Sequence, residues 1–223
     1  MQNDMAYTNV LEQTALFFGI DKRDYDALFN CLRARMLTYK KGETIFSAGD
    51  PARSVGILLE GAAQAVRDDI TGNRHILAAI EPSDVFGESY AAAETESLPI
   101  TVIAMRDSKA FLLPYARITR GCANACSFHM KLLENFLGIL AQKNIQLNQK
   151  IEHLSKRTTR EKVLSYLMEQ AQRQGGKYFR VPFNRQELAD YLMVDRSALS
   201  SELSKLRADG ILEYYKSEFK LLM

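Results

Sequence analysis

Short apolar runs broken by turn residues fill the first half of this chain, and helical spacing fills the second. Between Tyr39 and Tyr115, runs such as Val55 to Leu59, Ile76 to Ile80 and Ile100 to Met105 alternate with Lys41-Gly42-Glu43, Ala48-Gly49-Asp50-Pro51, Glu60-Gly61, Thr71-Gly72-Asn73 and Glu81-Pro82-Ser83-Asp84. Turn signals at roughly seven- to twelve-residue intervals predict a compact all-β roll or sandwich. Ahead of it, Asp24 to Met36 carries a helical pattern.

From about Cys126 to Leu154 there is no Pro and a single Gly, which predicts one helix of roughly eight turns. Leu133, Leu137, Leu140, Asn144, Leu147, Ile151 and Leu154 follow alternating steps of four and three, the heptad spacing of a coiled coil. Leu133, Leu140, Leu147 and Leu154 take d positions, and Leu137, Asn144 and Ile151 take a positions. A lone Asn in a Leu and Ile seam holds two parallel helices in register, because each Asn can bond its mate. The other use of the stripe is packing on the chain's own β-domain, and the N-terminal half of the helix can do both. A parallel pair makes the chain a homodimer.

Residues Arg185 to Leu206, RQELADYLMVDRSALSSELSKL, predict two short amphipathic helices around a tight turn. Leu188 and Leu192 share one face of the first, with Asn184 and Glu187 placed as a capping box. Val194 fills the turn, and Asp195 is placed to accept a backbone N–H at the head of the second helix, where Leu199, Leu203 and Leu206 point to the core. Arg196, Ser197, Ser200, Ser201 and Ser204 are left outward. Short hydroxyls beside a fork-shaped donor suit base edges in a DNA major groove, Arg196 being matched to guanine O6 and N7. Downstream, two apolar runs flank Lys216-Ser217-Glu218 and predict a β-hairpin wing. Arg185 and Lys205 are expected to serve phosphates. Met193 stands where many such turns have Gly.

Charge supports this division. Residues 155–223 hold 13 Lys and Arg against 9 Asp and Glu, a balance of +4, while the preceding 154 hold 16 against 18, or −2. Positive charge therefore gathers with the reading helix, as phosphate binding favours. At 223 residues, 47% hydrophobic and 25% charged, the chain suits one large or two modest globular domains. No apolar run approaches the ~18 residues that cross a bilayer, the start lacks a signal-like segment, and three cysteines make a disulfide framework improbable. A cytoplasmic protein with no membrane partner is expected. No Ser/His/Asp set, paired-carboxylate motif or phosphate-cradling Gly-rich loop is present, so no catalytic residues and no enzyme are expected.

With these parts in order, the chain resembles the Crp/Fnr family of bacterial transcription regulators over nearly its whole length. The resemblance rests on Tyr-Lys-Lys-Gly-Glu-Thr-Ile-Phe-Ser-Ala-Gly-Asp-Pro (39–51), Ile-Leu-Leu-Glu-Gly (57–61), Asp-Val-Phe-Gly-Glu-Ser (84–89), the long helix, and Val-Asp-Arg-Ser-Ala-Leu-Ser (194–200). It implies an α+β chain with an N-terminal double-stranded β-helix, a jelly-roll of cyclic-nucleotide-binding type, over 1–120. A dimerisation helix over 121–154 and a winged helix-turn-helix DNA-binding domain over 155–223 follow. It also implies double-stranded DNA as partner, a pseudo-palindromic site, and RNA polymerase as a further partner if the protein activates. Many family members carry Glu at the position of Ser197 and Arg at that of Ser201, so the usual half-site sequence is not carried over.

The resemblance places an effector pocket at Gly87, Glu88, Ser89, Leu98 and Pro99. Nucleotide-binding members hold the ribose with the Glu and neutralise the phosphate with an Arg about ten residues on. Here Leu98 stands at the Arg position and Pro99 removes an N–H donor. Charge-assisted hydrogen bonds contribute ~1.5–3 kcal/mol each, so losing a bidentate Arg weakens cyclic nucleotide binding about 100-fold or more. No cofactor is assigned; an unknown small-molecule effector other than cyclic AMP is expected, with a constitutive, effector-free DNA-binding dimer as an alternative. Another alternative is a metal- or thiol-based redox sensor, because Cys122, Cys126 and His129 fall on one helical face at spacings of four and three. The family's iron–sulfur sensors use N-terminal cysteines, and this chain has none before Cys31. His75 is expected at the surface or the core edge.

Overall fold

A computed structural model of the chain describes residues 7–68, 74–120 and 127–222. It divides into two compact units, one reaching Gln142 and the other beginning at Lys143, so the division falls inside the long helix.

The first unit runs α1 (Thr8–Gln13), α2 (Tyr25–Leu32), β1 (Arg35–Tyr39), β2 (Thr44–Phe46), β3 (Ser54–Glu60), β4 (Ala63–Asp68), β5 (Arg74–Ile80), β6 (Val85–Phe86), α3 (Glu88–Ala92), β7 (Thr101–Ala104), β8 (Ser108–Pro114), α4 (Tyr115–Thr119) and the start of α5 (Ser127–Ser155). Its strands make two antiparallel sheets of four, ordered β1-β8-β3-β6 and β2-β7-β4-β5. The three expected strand runs are β3, β5 and β7.

Sheet order explains why Val55 to Leu59 is a continuous apolar run. Val55, Ile57 and Leu59 join Leu28, Leu32, Phe111, Leu132 and Phe136 in a helix-facing core. Leu58 points the other way, into the core between the sheets with Ile45, Ala63, Val102 and Ala110. A strand covered on both faces loses the alternation that a half-exposed strand keeps.

The helical pattern over Asp24 to Met36 is corrected at its end. α2 stops at Leu32 with Arg33 left-handed (φ 51°), and Met36 lies in β1 opposite Phe111. Leu28, Leu32 and Met36 nevertheless reach the same core, which is why the period of four runs on across the helix end.

The start of α5 buries Phe128, Leu132 and Phe136, with Ile139 and Leu140 partly covered. This stripe lies about 100° from the heptad seam, one residue's rotation round the helix. Among the described residues, no helix is long and apolar enough to cross a membrane.

The second unit holds the last turns of α5, then α6 (Thr159–Arg173), β9 (Tyr178–Arg180), α7 (Arg185–Leu192), α8 (Arg196–Ala208), β10 (Leu212–Tyr215) and β11 (Glu218–Leu221). Leu188, Leu192, Leu199, Leu203 and Leu206 meet Val163, Tyr166 and Leu167 of α6 and Leu212 and Phe219 of the hairpin in one core. The hairpin is present, and β9 adds a third strand beside β11. At the head of α6, Thr158 and Glu161 form a reciprocal capping box. Donation by the Thr158 backbone N–H holds the Glu161 carboxyl below its usual range. The end of α5 is tied to α6 through His153, which is buried. Its Nδ1 lies 2.8 Å from Ser165 Oγ and its Nε2 2.5 Å from Glu169 Oε2, while Arg173 Nε lies 2.6 Å from Glu169 Oε1.

Gly61 closes the turn between β3 and β4 at φ +97°, where an added Cβ would stand 2.1 Å from Ser108 Oγ and 2.6 Å from the Asp107 carbonyl oxygen. Gly61→Ala combines left-handed strain with a backbone clash and should destabilise the first unit by about 2–4 kcal/mol. Denaturant unfolding followed by circular dichroism measures it; a change within noise would show that this turn relaxes freely.

Candidate functional site

The helix pair begins where the polar pattern placed it. Asn184 Oδ1 accepts the N–H groups of Gln186 at 2.9 Å and Glu187 at 3.0 Å, and Glu187 Oε2 accepts the Asn184 N–H at 2.7 Å. Three otherwise orphaned donors are thereby satisfied. α7 ends at Leu192, and Met193 after it is left-handed at φ 50°. This is the conformation Gly would adopt there without steric cost, and Met193 adopts it with its side chain in solvent. Val194 N–H then donates to the Ala189 carbonyl at 3.0 Å and turns the chain into α8.

One part of this turn is corrected. Asp195 is the N-cap residue of α8, but its side chain accepts no capping hydrogen bond. The carboxylate is exposed and solvated, acting at most on the positive helix end rather than as a cap.

α8 buries Leu199, Leu203 and Leu206 and leaves Arg196, Ser197, Ser200, Ser201, Ser204 and Lys205 exposed. Ser204 Oγ donates to the Ser200 carbonyl at 3.0 Å, so that hydroxyl is turned back on its own helix. Lys205 reaches Glu202, which also accepts from Arg160 at 3.2 Å; Arg160 continues to Asp209 at 2.7 Å. That network ties the outer side of α8 to the start of α6.

Arg185 is placed differently from the other candidates. Its guanidinium lies 4.9 Å from the Tyr214 ring centre and 5.2 Å from that of Phe219, half-buried against the wing, and desolvation pushes its pKa down from the usual value. Arg207 stacks over Tyr214 at 5.0 Å. Two arginines thus bracket the wing's aromatic face, each such contact contributing about 0.5–2 kcal/mol. Arg207 and the left-handed Lys216 at the hairpin tip join the exposed basic surface without having been singled out from the sequence. Their signal, a cation in the last turn of α8 and one at a hairpin tip, is common on any solvated face.

In the β-roll, Gly87 and Leu98 line a cavity of about 140 Å³ together with Ile45, Phe46, Asp50, Arg53 and Ser54. Gly87 is left-handed, and a Cβ there would meet the Phe46 ring at 2.6 Å. Glu88, Ser89 and Pro99 are not among the lining residues. Glu88 is buried, Ser89 Oγ donates to its Oε1 at 3.1 Å, and the Pro99 carbonyl accepts from Arg67 Nε at 3.2 Å. The cavity is smaller than the ~300–1,000 Å³ usual for sites that enclose drug-sized ligands. The lining from β2 and its following loop is distant in sequence from Gly87, so no local motif announced it.

Along α5, Leu137 is 58%, Leu147 61% and Ile151 63% exposed, and Leu133, Leu140 and Leu154 are partly covered. Asn144 is exposed and accepts from Asn148 Nδ2 at 2.9 Å. The heptad seam is therefore an apolar stripe that this chain's own core leaves largely open. Cys122 and Cys126 lie outside the described residues. His129 Nε2 is 3.0 Å from the Arg117 carbonyl oxygen and Nδ1 is 3.8 Å from Cys31 Sγ. Among the described residues, no group of three or more His, Cys, Asp and Glu is arranged to hold a metal. His75 is exposed on β5.

Residues 36–124 match the model of the cyclic nucleotide-binding domain, and residues 161–222 match that of the Crp-like helix-turn-helix domain. The chain is similar to the transcriptional activator protein FnrA of Stutzerimonas stutzeri, 26% identical over 95% of this chain and 86% of the relative. It is also similar to the cyclic AMP receptor protein of Thermus thermophilus, 23% identical over 90% of this chain and 89% of the relative. Among solved structures, the catabolite activator protein of Thermus thermophilus shares the fold at a TM-score of 0.55, with 21% identity and 93% of each chain covered. Two matched domains in this order, around a long helix and a winged helix-turn-helix, show that the chain belongs to the Crp/Fnr family of transcriptional regulators.

Proposed function

We infer that this protein is a homodimeric, sequence-specific DNA-binding regulator acting in the cytoplasm. The observation that carries the reading is the exposed face of α8. Arg196, Ser197, Ser200 and Ser201 stand outward together while three leucines lock the opposite face into the core. Short hydroxyls let the helix approach base edges closely, and Arg196 supplies the bidentate donor for a guanine. Lys205, Arg207 and Lys216 serve phosphates, which position the protein without reading sequence. Arg185 supports this surface by holding the wing rather than by reaching the duplex itself, since its guanidinium is engaged with Tyr214 and Phe219.

The open heptad stripe of α5 supports self-association. Leu137, Leu147 and Ile151 are large apolar groups in water at the spacing that a second helix covers. A two-fold pair would present two reading helices to half-sites about one duplex turn apart. If the protein activates transcription, RNA polymerase is its further partner.

Two observations argue against cyclic AMP as the signal. Leu98 is buried at the position where the resemblance places a phosphate-neutralising Arg, and the cavity it lines, which Arg53 also borders, holds only about 140 Å³. The small cavity also favours a second reading, a dimer that binds DNA with no effector. Operator affinity measured with and without small-molecule cell extract separates the two: a shift indicates a sensor and constancy an effector-free regulator.

Arg196→Ala should reduce the preference for a selected operator over scrambled duplex by about 1–3 kcal/mol while leaving the oligomeric state unchanged. Competition binding at fixed salt measures this, and undiminished discrimination would remove Arg196 from the reading face. Leu147→Asp combined with Ile151→Asp should yield a folded monomer at micromolar concentration by sedimentation. A variant that still sediments as the dimer would place the self-association surface elsewhere.

A further inference from the structure

Cys31 lies in the last turn of α2 and faces His129 near the start of α5, with 3.8 Å between Sγ and Nδ1. The second ring nitrogen, Nε2, is 3.0 Å from the main-chain carbonyl oxygen of Arg117 in α4. A carbonyl oxygen only accepts, so Nε2 carries the ring hydrogen. The neutral imidazole then presents a lone pair at Nδ1, and the thiol is the donor towards it. His129 is only 7% exposed and its ring stacks on Phe128 at 5.8 Å, so its orientation is held, whereas Cys31 is partly open to solvent.

Nucleophile, base, and a third group that fixes the tautomer of the base are the components of activated thiol sites. The helix itself opposes a thiolate, because Cys31 sits at the carbonyl end of α2 where the dipole disfavours negative charge. The imidazole, with Nδ1 3.8 Å from Sγ, is a group that can activate it. Neither the regulator reading nor any DNA contact uses this pair.

We propose that Cys31 is a hydroperoxide-reactive thiol, activated by His129, and thus a modification site. The thiol proton passes to Nδ1, and the sulfur electron pair attacks the distal peroxide oxygen. An S–O bond forms as the O–O bond breaks; sulfur loses two electrons and the peroxide gains them. The departing hydroxide or alkoxide takes the proton back from the imidazolium, leaving water or alcohol and a sulfenic acid. The added oxygen enters a packed junction of α2, α4 and α5, the helix that also carries the open heptad stripe.

The test uses the full-length chain with Cys122→Ser and Cys126→Ser, so that Cys31 is its one thiol. Hydrogen peroxide is the probe, dimedone trapping with mass spectrometry reads sulfenic acid, and iodoacetamide alkylation gives the pH profile. At neutral pH the folded chain should oxidise about tenfold or more faster than the same chain in denaturant, and alkylation should vary little from neutral to mildly alkaline pH. His129→Gln should lower both rates about tenfold with the circular dichroism unchanged, and Cys31→Ser should abolish the adduct. A folded-chain rate no higher than the denatured reference, or a rate indifferent to His129→Gln, overturns the proposal. Should His129→Gln fail to fold, the profile of the His129-bearing chain decides: a climb of about tenfold per pH unit marks an ordinary thiol and also overturns it.

Discussion

One helix has to satisfy two apolar demands that point in different directions, and the rest of the molecule is arranged around that constraint. Phe128, Leu132 and Phe136 pin the start of α5 into the helix-facing core of the β-roll. Leu137, Leu147 and Ile151, rotated by about one residue, stay largely exposed among the described residues. Burying both stripes in one domain would need a layer on either side of α5, and the roll supplies a layer on only one. The division of the chain into two compact units inside α5, at Gln142 and Lys143, follows from the same geometry. Where the inward stripe ends, the helix stops belonging to the roll.

The β-roll shows how burial on both faces erases sequence signals. β3 was visible as an apolar run because it is covered by helices on one side and by the second sheet on the other. β1 was less visible. Met36 kept the spacing of Leu28 and Leu32, and only the left-handed Arg33 reveals that the helix has ended. Nothing in the identity of an arginine announces a positive φ; tertiary packing of the following strand imposes it. β9 and α6 are similar cases, a three-residue strand and an amphipathic helix whose roles depend on partners far along the chain.

The helix-turn-helix was legible because its determinants are local. A capping box spans four positions, a leucine stripe spans two turns, and both fall within one short segment. Legibility failed where a side chain had a distant alternative. The sequence marks Arg185 as a cation beside the first helix, but not that two aromatic rings of the wing stack against its guanidinium. Asp195 looked like a cap, and solvent holds it instead. The cavity in the roll was only half legible. Gly87 and Leu98 belong to a recognisable stretch, but Ile45, Phe46, Asp50 and Arg53 reach it from β2 and the loop that follows, a juxtaposition far apart in sequence that no spacing rule encodes.

The buried imidazole at position 153 joins two helices by groups on both of its nitrogens, with an arginine steadying the carboxylate from behind. A joint of this kind has little play, because sliding by a single residue would strand a carboxylate and an imidazole in a nearly dry setting. Within the second unit, the final turns of α5 and the middle of α6 are therefore fastened to each other at one buried point, and the register between them is set there.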